Sequence, residues 1–152
     1  MSERKPFVWP EGGIAQVHDK PIPPGYETAI LVDPFEIFCG PFFDKMRQGE
    51  TAFAFRVDER HVNVQKVCHG GMLLTFADSS LGFTVWSVTD RAPCVTLSMQ
   101  GNFLKPARIG DLVEERPEET RRTRELVFVR GDYKVGGDIV MTATSIWKLL
   151  TP

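Results

Sequence analysis

One segment sets the terms for any fold this chain can adopt. From Gly71 to about residue 87 runs a helix-length stretch in which Met72, Leu73, Leu74, Phe76, Ala77, Leu81, Phe83, Val85 and Trp86 occupy most of a helical circumference. A helix apolar all round belongs inside a core, so the rest of the chain must wrap it. The residues beyond the helix are suited to wrapping. Residues 94–104, 111–121, 125–134 and 139–149 are rich in Val, Thr, Phe and Leu or alternate polar with apolar, and Lys105-Pro106 and Gly136-Gly137-Asp138 punctuate them. Four successive strands with short connections predict an antiparallel sheet. Residues 51–57 alternate well enough to add a strand before the helix. Pro117 cannot donate to a ladder, so it marks a bulge or an edge within its strand.

The first quarter of the chain differs in kind. Pro6, Pro10, Pro21, Pro23 and Pro24, with Gly12, Gly13 and Gly25, favour an irregular surface arm. Within it, Asp33-Pro34-Phe35-Glu36 supplies an N-cap, a proline at the first helical position and an acid at the third, with Gly40 beyond. That is a short helix with a sharp stop. The expected division is an arm with a short helix over residues 1–48 and a sheet-and-helix domain over residues 49–152.

Composition excludes several functions. The 152 residues, 42% hydrophobic and 25% charged, suffice for a domain with a real core. A net charge of -2 gives no general attraction for nucleic acid. No apolar run approaches the ~20 residues that span a bilayer. Met1-Ser2-Glu3-Arg4-Lys5-Pro6 lacks the apolar centre of a signal peptide, so a soluble, cytoplasmic protein without a membrane partner is expected. Cys39, Cys68 and Cys94 are odd in number and widely spaced, which argues against a disulfide framework or a zinc site.

The polar residues cluster around the start of the helix. Asn63-Val64-Gln65-Lys66-Val67-Cys68-His69-Gly70-Gly71 leads into it, and two glycines leave the first backbone N–H groups unscreened. Such an end suits an oxyanion or a polarised carbonyl. Asp78 is the one carboxylate of the segment. Among Leu74, Phe76, Ala77 and Leu81 it must be desolvated at a cost, and costly groups concentrate at functional sites. Plainer readings stand beside these. Asp78, followed by Ser79 and Ser80, also fits the N-cap of a second helical segment; Asn63 fits a turn stabiliser, His69 a hydrogen-bonded turn residue, Gly70-Gly71 a plain turn, and Thr96 an ordinary strand residue. Cys68 and His69 offer no thiol–imidazole dyad, because neighbours in an extended strand face apart. Gly71, Thr75, Ser79 and Gly82 form a stripe of small residues that would let another backbone come close.

Over roughly residues 50–149 these features resemble the hotdog-fold acyl-CoA thioesterases of the PaaI-like group. The resemblance rests on Asn63 six positions before His69, the His69-Gly70-Gly71 turn, Asp78 nine positions later, and Val95-Thr96-Leu97 through Asn102-Phe103-Leu104-Lys105-Pro106-Ala107-Arg108-Ile109-Gly110-Asp111. It implies an α+β hotdog fold, an antiparallel β-sheet wrapped around one long apolar helix. It also implies hydrolysis of a coenzyme A thioester to a carboxylic acid and coenzyme A, with no cofactor and no metal. By the same matching, Gly70 offers its N–H to the thioester carbonyl, Asn63 and His69 position the thioester and leaving group, Asp78 is general base or nucleophile, and the Thr96 hydroxyl helps hold the attacking water. Gly71, Lys105 and Arg108 are the expected substrate contacts, the two cations because coenzyme A carries phosphates. One departure is Lys66, which stands where many members carry Gly. Phe35, Phe38, Phe42 and Phe43 of the arm then either close over the acyl pocket or cover core. A non-catalytic acyl-CoA-binding or regulatory domain of the same fold would keep the pocket without needing Asp78; a hydratase of this fold would order and space its Asp and His differently.

Helix geometry adds a constraint. Nine residues at ~100° each put His69 and Asp78 on opposite sides of the helix and, at ~1.5 Å rise, ~13 Å apart along it. To act on one carbon they must come from two chains, so a homodimer or homotetramer with its site at a subunit interface is expected.

Overall fold

In the computed structural model, which describes residues 14–15, 18–31, 33–46 and 49–150, one long helix lies against an antiparallel sheet. Pro6, Pro10, Gly12 and Gly13 of the expected arm lie outside the described residues. In chain order the elements are β1 (Ile14–Ala15), β2 (Glu27–Thr28), β3 (Ile30–Leu31), α1 (Pro34–Cys39), β4 (Phe42–Asp44), β5 (Phe53–Arg56), a 3₁₀ turn (Glu59–His61), α2 (Gly70–Val88), β6 (Cys94–Phe103), β7 (Leu112–Glu115), β8 (Glu118–Arg122), β9 (Leu126–Val135) and β10 (Asp138–Leu149). The large sheet runs β2-β4-β5-β7-β9-β10-β6, with β8 beside β9, and β1 pairs separately with β3. This is the hotdog arrangement. No helix among the described residues is long and apolar enough to cross a membrane.

The expected four strands after the helix are five. Residues 111–121 divide at Arg116-Pro117, where the missing proline N–H ends one ladder and another begins: β7 lies between β5 and β9, whereas β8 pairs with β9 further along.

The long helix is not wrapped on all sides, contrary to its all-round apolar pattern. Its buried residues are Met72, Leu73, Phe76, Ala77, Ser80, Leu81, Thr84 and Val85, one face with helical period. The large sheet covers that face and leaves the one bearing Gly71 and Asp78 exposed. On the covered side Phe76 packs on Phe55 at 4.8 Å and Phe42 at 5.3 Å between ring centroids. One end of the small-residue stripe is used within the chain: a Cβ at Gly82 would stand 2.8 Å from the Trp147 indole, so the sheet takes its space, whereas Gly71 at the other end is exposed. A carboxyl group lies in this core. Glu115, 2% exposed, accepts from the Tyr133 hydroxyl at 3.0 Å, and Tyr133 meets Ser80 of α2 at 3.3 Å. Gly131 makes room for it, since a Cβ there would collide with the Glu115 carboxyl.

The described part of the arm joins this architecture. β2 and β4 extend the sheet beyond β5. Successive residues of β4 face opposite ways, so Phe42 enters the core under α2 while Phe43 joins Tyr26, Ala52 and Ala54 on the other side of the sheet. α1 begins as its sequence requires, with Asp33 Oδ1 accepting the Glu36 N–H at 2.8 Å and Pro34 in the first turn. Its far end is fastened by side chains from the 3₁₀ turn. Arg60 donates to the carbonyls of Phe38 (2.9 Å) and Gly40 (2.6 Å), and His61 Nε2 to that of Cys39 (2.8 Å). Arg60 is held in turn by Asp58 at 2.9 Å.

Candidate active site

The segment before α2 is a tight loop built by its own polar groups. Asn63 Oδ1 accepts the Gln65 N–H at 2.9 Å, and Asn63 and Val67 close the loop through a 2.9 Å backbone bond. Lys66 turns the corner at φ 59°, the left-handed region where glycine is strain-free, which accounts for a glycine at this position elsewhere. The loop leads to His69, the N-cap of α2. Its backbone N–H goes to the His61 carbonyl at 2.7 Å, and its Nδ1 accepts the Gly71 N–H at 2.9 Å. An accepting Nδ1 leaves the ring proton on Nε2, and the ring is exposed. Met72 and Leu73 donate to the His69 carbonyl. Gly70 is left as the first-turn N–H without an acceptor among the described residues. A Cβ there would stand 3.0 Å from the Phe103 ring, so any side chain at this position would press the ring aside.

Asp78 lies one side round and two turns on. It is exposed, so within one chain it is not desolvated by Leu74, Phe76, Ala77 and Leu81 as its sequence neighbours suggest; three of those four face the sheet. Nor does it cap a second segment, because α2 runs unbroken through it. One carboxylate oxygen accepts from Thr96 Oγ1 at 2.7 Å. That bond depends on an irregularity in β6. Ser98 pairs with Ile146 but Thr96 pairs with Trp147, so Leu97 is an extra residue. The bulge exchanges faces: Met99, Gly101 and Phe103 look toward α2, and beyond the bulge so do Thr96 and Cys94 while Val95 and Leu97 turn outward.

Between α1 and α2 a cleft of about 370 Å³ opens on Asp78, walled by Leu74, Met99, Phe35 and Glu36. Glu36 escapes a reading of the sequence, in which an acid at the third position of a helix is merely favourable to the dipole. It is buried, and burial pushes its carboxyl up to about 7, with Asp33 and Asp78 adding to the rise and the Ser79 hydroxyl opposing it. The only sequence signal was its place between Phe35 and Phe38 in a helix too short to stand free. Of the arm's phenylalanines, Phe35 lines this cleft and Phe42 and Phe43 are core.

The remaining candidates are spread out. His69 and Gly70 sit at the N-terminus of α2, and Asp78 with Thr96 further along, on another side. Lys105 is ion-paired with Asp138 at 3.1 Å. Arg108 is exposed in the strand-like segment that bridges Val67, beside the Asn63–His69 loop. Arg122 donates to the Val88 carbonyl at the end of α2, which is helix capping. Burial pushes the Cys68 thiol up to about 12, which makes it inert beside His69. Among the described residues no group of three or more His, Cys, Asp or Glu is placed to hold a metal ion.

Residues 65–142 match the family model described as the thioesterase superfamily. A candidate esterase of Pseudomonas aeruginosa is 29% identical over 130 residues, covering 84% of this chain and 97% of its own length. Mouse acyl-coenzyme A thioesterase 13 is 25% identical over 105 residues, 63% of this chain and 75% of the mouse protein. Among solved structures, the phenylacetic acid degradation protein PaaI of Thermus thermophilus, in an N33D mutant, superposes with a TM-score of 0.66 at 24% identity, covering 78% of this chain and 100% of that one.

Proposed function

This chain belongs to the thioesterase superfamily, and we propose that it hydrolyses an acyl-coenzyme A to a carboxylic acid and coenzyme A, at sites shared between two copies of the chain. The observation that carries this reading is the 2.7 Å bond from Thr96 to Asp78 at the cleft. It holds one carboxylate oxygen still and leaves the other without a partner among the described residues, as a base or nucleophile needs. Asp78 takes a proton from water as the water attacks the thioester carbon, or attacks that carbon itself. The carbonyl oxygen gains charge, and the Gly70 N–H at the positive end of α2 donates to it. Collapse of the tetrahedral intermediate expels the coenzyme A thiolate. With water as the nucleophile this gives the carboxylic acid directly; with Asp78 as the nucleophile a water must then cleave the acyl–Asp78 anhydride to release the acid and restore the carboxylate. His69 Nε2–H and the Asn63 amide NH₂ are the donors that orient the thioester and leaving group, since His69 Nδ1 and Asn63 Oδ1 are engaged in their own turns. Gly71 fixes the His69 ring, and Arg108 and Lys105 meet the phosphates.

Sharing between chains follows from the ~13 Å that separates His69 from Asp78 along one helix. The open face of α2 and the outer edge of β6 are the surfaces for a second copy. No described strand pairs with that edge, and Val95, Leu97, Phe103 and Leu104 are exposed along it. Both a homodimer and a dimer of dimers meet the requirement. A non-catalytic acyl-CoA-binding domain would have no use for a carboxylate anchored by a hydroxyl. Asp78→Asn tests this directly: the residue is exposed, so the fold survives, and kcat on any acyl-CoA the parent cleaves should fall on the order of 10² to 10⁴. Equal turnover would leave the binding-domain reading in its place.

A further inference from the structure

The cleft beside Asp78 holds an acid that hydrolysis does not use. Glu36 is 8% exposed; its Oε2 is buried and makes no hydrogen bond of good geometry, and the polar groups that interact with the carboxyl are the Ser79 hydroxyl and the Asp33 side chain. A buried polar oxygen left unpaired is costly, and a ligand group that donates to it removes the cost. The titratable groups that face Glu36 are Asp33 from the cap of α1 and Asp78 from α2, with the Ser79 hydroxyl between. Both are acids. Arg60, the cation that fastens the end of α1, is directed to Asp58 and the carbonyls of Phe38 and Gly40. Leu74 and Met99 make the adjoining walls apolar. An acyl chain laid against those walls from a thioester at Asp78 would bring its far end toward Glu36.

Resting on the catalytic reading of Asp78, we propose that the cleft between α1 and α2 is the acyl recess and that Glu36 selects acyl groups by the charge at their far end. It admits groups that end in an uncharged, hydrogen-bond-donating or cationic function and excludes those that end in a carboxylate. The exclusion is electrostatic: a further anion would enter a partly dehydrated recess already lined by three carboxyl groups. It is also graded by pH, because Glu36 ionises near 7 while a substrate carboxylate stays charged throughout.

Succinyl-CoA and 4-methylpentanoyl-CoA test this, since two carboxylate oxygens in one replace two methyl groups in the other. The parent at pH 8 should favour the methyl compound in kcat/KM by on the order of tenfold or more, and the ratio should shrink toward pH 6. In Glu36→Gln the ratio at pH 8 should narrow by about tenfold and lose its pH dependence. Changes in Asp78 itself cancel in such a ratio. A ratio that is the same in Glu36→Gln and the parent, or a parent that prefers succinyl-CoA, overturns the inference. Should the variant fail to fold, a ratio in the parent that is flat from pH 6 to 8 overturns it equally. Equal hydrolysis of both thioesters defeats this inference alone, whereas hydrolysis of neither, nor of any other acyl-CoA, defeats the thioesterase reading with it.

Discussion

At the scale of single residues, the chain keeps two acids where folding raises their proton affinity. Glu115 is pushed up to about 8 from an ordinary 4.5, first by burial, with the hydrogen bonds from Tyr133 and Ser80 opposing and Asp132 adding to the rise. Below about 4.5 the carboxyl is protonated in folded and unfolded chains alike, and its contribution to stability is whole. Above that value the unfolded chain releases the proton and the folded one keeps it, so stability is lost as pH climbs toward 8. Glu36, raised to about 7, contributes with the same sign. Glu115→Gln keeps an acceptor for the Tyr133 hydroxyl and removes the titration. Thermal midpoints between pH 5 and 8 should therefore decline less steeply in Glu115→Gln than in the parent. Parallel declines would mean that Glu115 is not the proton carrier assumed here.

At the scale of elements, α1 shows how a short helix is kept in place. Six residues form too few turns to persist alone, and its C-terminal end is secured by Arg60 and His61 rather than by a continuing ladder. Because α1 supplies Phe35 and Glu36 to the cleft, the attachment matters for the site. Arg60→Ala removes two charge-assisted bonds to backbone carbonyls, each worth about 1.5–3 kcal/mol. Amide exchange over residues 34–40 should then quicken by at least about tenfold while the protected amides of α2 hold their rates. Exchange that speeds up uniformly over the whole chain would show that Arg60 supports the fold at large, not α1. β6 illustrates a different device. Its odd-numbered residues Val95, Leu97, Met99 and Phe103 are apolar, so plain alternation puts Thr96 on the far side from them. The extra residue at Leu97 reverses this, and Thr96 reaches Asp78 while two apolar side chains turn outward.

At the scale of the whole molecule, these outward side chains and the open half of α2 are the surfaces on which the proposal of a shared site rests. The complementation of damaged copies is the corresponding measurement. His69→Ala and Asp78→Ala, each nearly inactive, are unfolded together in equal amounts and reassembled. Random pairing gives about half mixed dimers, each with one intact and one doubly damaged site, so activity should return to about a quarter of the parent level. Persistent inactivity, with mixed dimers shown to be present, would place both residues within one chain's site or remove one of them from catalysis.

Local chemistry along the chain set most of the elements from residue 51 onward, but not the short strands β2 and β4 of the arm or the division of residues 111–121 into β7 and β8. α2 falls within a residue of its expected bounds, and the Asp33-Pro34 helix start and the irregularity at Pro117 stand where short-range interactions put them, because caps, prolines and periodicity act over a few neighbouring residues. A sheet packed on one long helix was legible for the same reason, and the resemblance of the Asn63–Asp78 segment to the PaaI-like group implied that the arrangement is the hotdog fold. The site was legible in part. Asn63, His69 and Gly70 form the loop and helix start that their order in the sequence suggested. Long-range packing settled which side of α2 is covered, that Asp78 is exposed in one chain, that Thr96 and not Leu97 faces it, and that Glu36 and Glu115 are buried. Each of these depends on what meets a residue from far along the chain. The pattern of a strand or helix is blind to a bulge that changes register and to a short helix folded back over a cleft, since neither alters the local run of residues that the pattern reads.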